Sequence, residues 1–321
     1  MGNKFFDAEK ISCRVCKSDR LIKIGECLPF AEGTLSLFPD SIESEDVRGY
    51  LYRCSKCGLG QRIPCLNEEQ LRELYRGLNE GQMDYDFTTN GAWVASRKLL
   101  RRYWQDDAHP LILDVGCYEG RFLRGLPESW HKFGIEPSLQ AKVILEKHKI
   151  KVISDFLTSS PSEWHKRFDV ICMFDVFEHL HNPYEGLINA LKYLKPGGRL
   201  FVSTADMDSW TWKWLNTDHW YLESPFHLSF GTKSFFQWFC QQVQVKLSNI
   251  CYISHRLGTP QQIFSDAVIA TYFGLRRRGG IWRLPQRIIQ SIPAWNYLIY
   301  KEFMPCTFYL NDHFVLEFEK N

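Results

Sequence analysis

The stretch LILDVGCYEGRFL, Leu111–Leu123, passes from five strand-forming residues through a turn holding Gly116 and Gly120 into a helix-like segment. In a parallel sheet, such a turn presents backbone N–H groups to a ligand at the carboxyl end of the first strand. The spacing separates ligand classes. A pyrophosphate-binding G-x-G-x-x-G turn needs a glycine where Tyr118 stands, because only bare backbone approaches the diphosphate closely enough. A dinucleotide is disfavoured, and the turn suits a ligand without phosphate.

Working outward, short β-rich runs recur as KFGIE, KVIS, FDVICMF and RLFVST, separated by helix-length segments. This alternation predicts an α/β, Rossmann-like doubly wound sheet. Pro196, Gly197 and Gly198 should end the helix before the last of these runs. QVKLSNICYIS and HFVLEFEK supply two further strands, with an aromatic and basic helical insertion over about 262–304. Three regions follow: a cysteine-bearing module at 1–66, a helical connector or cofactor lid at 67–107, and the α/β domain at 108–321.

The 321 residues are 45% apolar and 15% aromatic, enough to bury a large core. With 39 basic against 37 acidic residues, the net charge of +2 is too slight for a broad phosphate-binding surface, so nucleic acid is not the expected partner. The opening MGNKFFDAEKISC has no apolar core of a signal peptide, and Phe6 stands where a myristoylation motif needs Ser or Thr. IFSDAVIATYFGL is short and interrupted by Asp266. The expected location is cytoplasmic and reducing, where eleven cysteines are read as thiols and metal ligands rather than disulfides.

Cys13-x-x-Cys16 and Cys54-x-x-Cys57 each place two thiolates on one tight turn, half of a tetrahedral Zn²⁺ site. Four cysteines close the coordination shell, so the expected zinc ribbon is structural. Cys27 and Cys65 are spare candidates.

Glu136 ends the next strand, 22 residues after Asp114, where a carboxylate accepts both hydrogen bonds of a ribose. Asp155 and Phe156 follow the third strand, placed for an adenine amino group and ring, although Asp155 alone also suits a helix cap and Phe156 and Phe174 also suit the core. S-adenosylmethionine meets these requirements: it has a ribose and an adenine but no phosphate.

Taken in order, LILDVGCYEGRFL, GIEPS, DFL, FDVICMFDVFEHLHNP and LKPGGRLFVST resemble the motifs of class I S-adenosylmethionine-dependent methyltransferases, over roughly residues 110–245. CRVC and CSKCGLGQ, with LRELY after them, resemble the zinc-binding module that precedes this domain in bacterial sugar and glycan-cluster methyltransferases. The resemblance implies that Asp114, Gly116 and Gly120 hold the methionine end, Glu136 the ribose, and Asp155 and Phe156 the adenine. Phe174 and Asp175 would lie along the cofactor near its sulfonium. Tyr118 departs from the common glycine and is expected to line the pocket.

For the acceptor, His179, His181, His219 and His227 are candidate bases, since imidazole titrates near neutral pH. His227 is preferred, and His179 equally suits a loop-ordering role. Five of the eleven tryptophans fall in the segment after RLFVST; aromatic faces there suit a sugar, nucleotide-sugar or glycan, while Trp212, Trp214 and Trp238 also suit the core. Thr232 is a plausible helix cap. The expected activity is O- or C-methylation of a small molecule. The alternatives are an RNA-modifying enzyme that reads through its ribbon and a non-catalytic binding module. FGLRRRGGIWRLPQRIIQ mixes arginines with large apolar residues, as in a segment resting on an anionic membrane, and equally as in a solvated helix face over a core.

Overall fold

The computed structural model describes residues 11–27, 48–77, 89–159 and 161–321. The segment around Phe6, residues 28–47 of the cysteine-bearing region and 78–88 of the connector lie outside them.

The N-terminal region contributes β1 (Leu21–Glu26), β2 (Tyr50–Cys54) and β3 (Gly60–Ile63), followed by α1 (Glu68–Gly77) and α2 (Gly91–Leu100). The α/β part begins with β4 (Leu111–Val115), α3 (Arg121–Arg124), β5 (His131–Ile135), α4 (Leu139–Lys147) and β6 (Lys151–Ser154). It continues with β7 (Phe168–Phe174), α5 (Pro183–Tyr193), β8 (Leu194–Ala205), α6 (Trp210–Leu215), β9 (Ser229–Phe230) and α7 (Lys233–Val243). Last come β10 (Lys246–Ile253), α8 (Pro260–Arg278), α9 (Arg283–Ser291) and β11 (His313–Glu319).

The large sheet runs β10-β11-β8-β7-β4-β5-β6. β4 to β8 are mutually parallel where they pair, and β11 enters antiparallel between β8 and β10. This is the expected Rossmann-like α/β fold. The order of strand addition reverses at β4, which pairs with both β5 and β7, so the turn after Val115 opens at the topological switch point. Ile112, Leu113, Val170, Ile171 and Cys172 are fully buried because helices cover both faces of these central strands. The helix ends follow local chemistry: Ser138, Asn182 and Thr232 each accept a backbone N–H of the first turn of α4, α5 and α7. Between β10 and β11 the chain forms α8 and α9, a helical insertion.

The small sheet has the order β1-β2-β3-β9, entirely antiparallel. Its fourth strand, β9, comes from residues 229–230, so the cysteine-bearing segment shares a sheet with the chain beyond β8. Arg62 locks this seam. Its guanidinium is fully buried and donates to the carbonyls of Arg48, Leu222, Ser224 and His227 at 2.6–3.2 Å. Arg14 adds bonds to the carbonyls of Arg62 and Leu228 at 2.9 and 2.5 Å.

Arg62→Ala would leave those carbonyls buried and unpaired. It is expected to lower unfolding free energy by about 3–5 kcal/mol in urea titrations, and Arg62→Lys to recover little, since a point charge cannot reach all four acceptors.

Candidate functional site

A cavity of about 640 Å³ opens at the switch point, lined by the β4 turn, the ends of β5, β6 and β7, α1, and residues 220–227. The turn meets it directly. Gly116 has φ +70°, and an added Cβ would lie 2.8 Å from Val176; Gly120, at φ +69°, packs against Ile150 and Leu145. Both positions need glycine for conformation and space. Tyr118 also has positive φ, +44°. The chain takes a glycine-like conformation there despite its side chain, and Tyr118 is among the residues that line the cavity.

That conformation aims the Tyr118 N–H at Glu136 Oε2, 2.7 Å away, while Ser138 N–H bonds Oε1 at 2.8 Å. Glu136 is 5% exposed. Burial raises its pKa and the two N–H bonds oppose the shift. Each oxygen retains a lone pair. Burial, with Glu136 beside it, raises Asp114 well above the usual carboxylate range.

Asp155 pairs with Lys142 at 2.6 Å, and Phe156 has the Arg72 guanidinium 5.0 Å above its ring. Phe174 packs edge-on against Phe122 at 4.8 Å yet still reaches the cavity. Asp175, at φ +54°, exchanges hydrogen bonds with Ser203 at the tip of β7. The cavity thus brings together Asp114, Gly116, Tyr118, Glu136, Asp155, Phe156, Phe174 and Asp175; Gly120, behind the turn, shapes it without lining it.

At the other end stand His179 and His227, with ring centroids 5.0 Å apart. Nδ1 of each bonds a carbonyl: Phe226 at 3.1 Å for His179 and Tyr221 at 2.7 Å for His227. A carbonyl only accepts, so Nδ1 carries the proton and Nε2 keeps its lone pair. Burial lowers His179 to about 4 and His227 well below its ordinary value. Glu178, pushed up to about 7 by burial and then by Asp175, accepts from Tyr221 Oη at 2.5 Å. Donor atoms of Glu178, His179 and His227 lie within 4.8 Å of one another, near enough to share a proton or a cation.

Three buried polar atoms of this wall have no hydrogen bond among the described residues: Tyr75 Oη, Trp220 Nε1 and Glu178 Oε2. Sequence reasoning missed Glu178, Tyr221 and Tyr75; only Glu178 carried a signal, next to His179. His181 lies at the cavity's edge, but His219 does not reach it, its ring stacking on Trp212 at 4.5 Å. The tryptophans divide: Trp220 lines the cavity, while Trp212, Trp214 and Trp238 pack inside the protein.

The four cysteines converge elsewhere. Sγ atoms of Cys13 and Cys57 are 3.7 Å apart, those of Cys16 and Cys54 3.5 Å, and all four lie within 4.8 Å. These distances exceed a disulfide's roughly 2 Å. They match the edge of about 3.8 Å in a tetrahedron with 2.3 Å metal–sulfur bonds. The knuckles repeat one geometry: Cys13 N–H bonds Ser18 O at 2.8 Å and Cys54 N–H bonds Leu59 O at 2.9 Å, with Lys17 and Gly58 both at positive φ. Cys27 and Cys65 stand outside the cluster.

The family profile described as "Methyltransferase domain" matches residues 91–248. A mitochondrial ubiquinone biosynthesis O-methyltransferase of Candida albicans is 33% identical over 121 residues, covering 33% of this chain and 36% of that protein. The ubiquinone biosynthesis O-methyltransferase of Proteus mirabilis is 25% identical over 125 residues, 36% of this chain and 51% of its own. The chain therefore spans only about a third to a half of these relatives. Among solved structures, a SAM-dependent methyltransferase of Thermotoga maritima, described as a possible histamine N-methyltransferase, superposes loosely. Its TM-score is 0.44 at 15% identity, over 71% of this chain and 89% of that one. The segment 91–248 thus matches a methyltransferase-domain family, and it lies within the Rossmann-like α/β sheet that β10 and β11 complete.

Proposed function

We propose that this protein transfers a methyl group from S-adenosylmethionine to an oxygen of a small, largely apolar hydroxylated ring. The observation that carries it is Glu136, buried and held by two N–H groups with one lone pair per oxygen still available beside an open glycine turn. A ribose diol fits that pair, and a cationic ligand end beside Asp114 would offset the burial of its carboxylate. Gly116 and Tyr118 would cradle the methionine portion, with Gly120 fixing the turn; Asp155 and Phe156 would meet the adenine, and Phe174 and Asp175 the region near sulfur. When bound, the cofactor supplies an electrophilic methyl group.

On the acceptor side, His227 Nε2 would take the hydroxyl proton. The imidazolium so formed lies among Glu178 and His179, whose donor atoms are within 4.8 Å. Tyr75 Oη and Trp220 Nε1 offer donors to orient the ring. The names of the curated relatives support oxygen as the receiving atom. Aromatic walls with few polar atoms favour an apolar ring over a glycan, whose many hydroxyls would each need a partner. An RNA acceptor is disfavoured because Arg14 and Arg62 of the ribbon are engaged with internal carbonyls.

The cysteine cluster is proposed as a structural Zn²⁺ site. One zinc per chain is expected by elemental analysis, and Cys54→Ser with Cys57→Ser should remove it. Because the ribbon holds residues 222–229, that loss should raise the acceptor KM more than it changes cofactor affinity.

Calorimetry should detect S-adenosylhomocysteine but not NAD binding, and Glu136→Ala should weaken it about 100-fold, the loss of two charge-assisted hydrogen bonds. Unchanged affinity in that variant would refute the assignment. The histidine pKa values are depressed, so the neutral forms persist at pH 7, and His179 is lost only as pH falls through about 4. Nitrogen-15 NMR at pH 6 should show His179 and His227 as neutral Nδ1–H tautomers. His227→Ala should slow methyl transfer about 10²-fold with cofactor affinity unchanged.

A further inference from the structure

The insertion between β10 and β11 exposes a surface that methyl transfer does not use. Nine of the twenty large apolar side chains exposed among the described residues fall between 281 and 303. On α9, Leu284 and Ile288 are 68% and 59% exposed, and Ile281 just before the helix is 84% exposed. Their spacing of three and four places them on one stripe. Ile289, one position further round, packs inward against the core. The outward stripe is therefore surplus to folding.

Charge accompanies it. Residues 267–303 contain five arginines and one lysine against a single acid, Glu302, in a chain whose net charge is only +2. Three of the arginines have work inside the protein. Arg276 donates to the carbonyl of Lys301, Arg277 pairs with Asp218, and Arg278 donates to the carbonyl of Trp214. Arg283 and Arg287, beside Leu284 and Ile288, are exposed and make no hydrogen bond or ion pair among the described residues. Among those residues, no helix is long and apolar enough to cross a membrane.

We infer that α9 and the turn before it dock on an anionic membrane surface. Ile281, Leu284 and Ile288 would enter the headgroup boundary, and Arg283 and Arg287 would meet lipid phosphates. An apolar stripe flanked by arginine is the pattern of a helix lying in the interface plane. A second copy of this chain fits less well, since a two-fold contact through α9 would set arginine against arginine with no acid in that helix to separate them. Nucleic acid would leave the aliphatic stripe without a role. The insertion leaves the cavity wall at His255 and Arg256 and returns to it at Cys306 and Phe308, so docking would hold the acceptor end of the cavity near the lipid. The inference does not depend on the cofactor assignment.

The test is co-sedimentation of the full chain with phosphatidylcholine vesicles, with and without about a third phosphatidylglycerol. Binding is expected only to the anionic vesicles and should weaken in high salt. Arg283→Gln with Arg287→Gln should reduce it about 30-fold, from about 1 kcal/mol per arginine. Leu284→Asp with Ile288→Asp should abolish it, with the melting temperature unchanged because both positions are exposed. Absence of binding by the unmodified chain would overturn the proposal, as would equal binding by the aspartate variant. A dimer in sedimentation velocity that the aspartate variant dissolves would assign the surface to a second copy instead.

Discussion

The buried guanidinium of Arg62 is the constraint on which the two halves of this protein depend. A cation is costly to bury, and it is tolerated here because the carbonyls of Arg48, Leu222, Ser224 and His227 point at its planar fork. Three of them belong to residues 222–227, the wall that carries His227. The cysteine knuckles, β3, β9 and that wall are thereby one unit. A ribbon placed more than a hundred residues before this wall becomes part of its support.

The same logic governs the opposite wall. Glu136 needs the Tyr118 N–H, and that N–H is aimed by a left-handed residue between two left-handed glycines. Strain at Tyr118, about 1 kcal/mol or more for a residue of that kind, is offset by a hydrogen bond to a buried carboxylate. This accounts for a tyrosine where a glycine would be conformationally easier: its backbone still does what the turn requires.

The large sheet was legible in the sequence because each strand is a short apolar run ended by a turn residue, and because Glu136, Asp155 and Asp175 stand at strand ends where side chains must face the switch point. The cysteine cluster was legible from spacing alone. Less was readable where position depends on long-range pairing. Nothing local in Ser229–Phe230 announces a strand that completes the ribbon's sheet, and nothing in Arg62 distinguishes it from a surface arginine. The tryptophans were open to two readings for a related reason. Their clustering after β8 is a property of the sequence, whereas the fold sends Trp212, Trp214 and Trp238 inward and leaves Trp220 at the cavity. His219 stands eight residues before His227 and has the same chemistry, yet stacking on Trp212 keeps it from the site.

Arg62 and Arg14 grip residues 222–228 by carbonyl oxygens, atoms that every amino acid possesses. The backbone of this wall is therefore held independently of what side chains it bears. Glu223, Ser224 and Phe226 all face the cavity from it. Exchanging those three residues would reshape this end of the cavity while leaving the carbonyl grip beneath undisturbed. The seam that joins the halves thus separates what holds this wall from what the wall presents to the cavity.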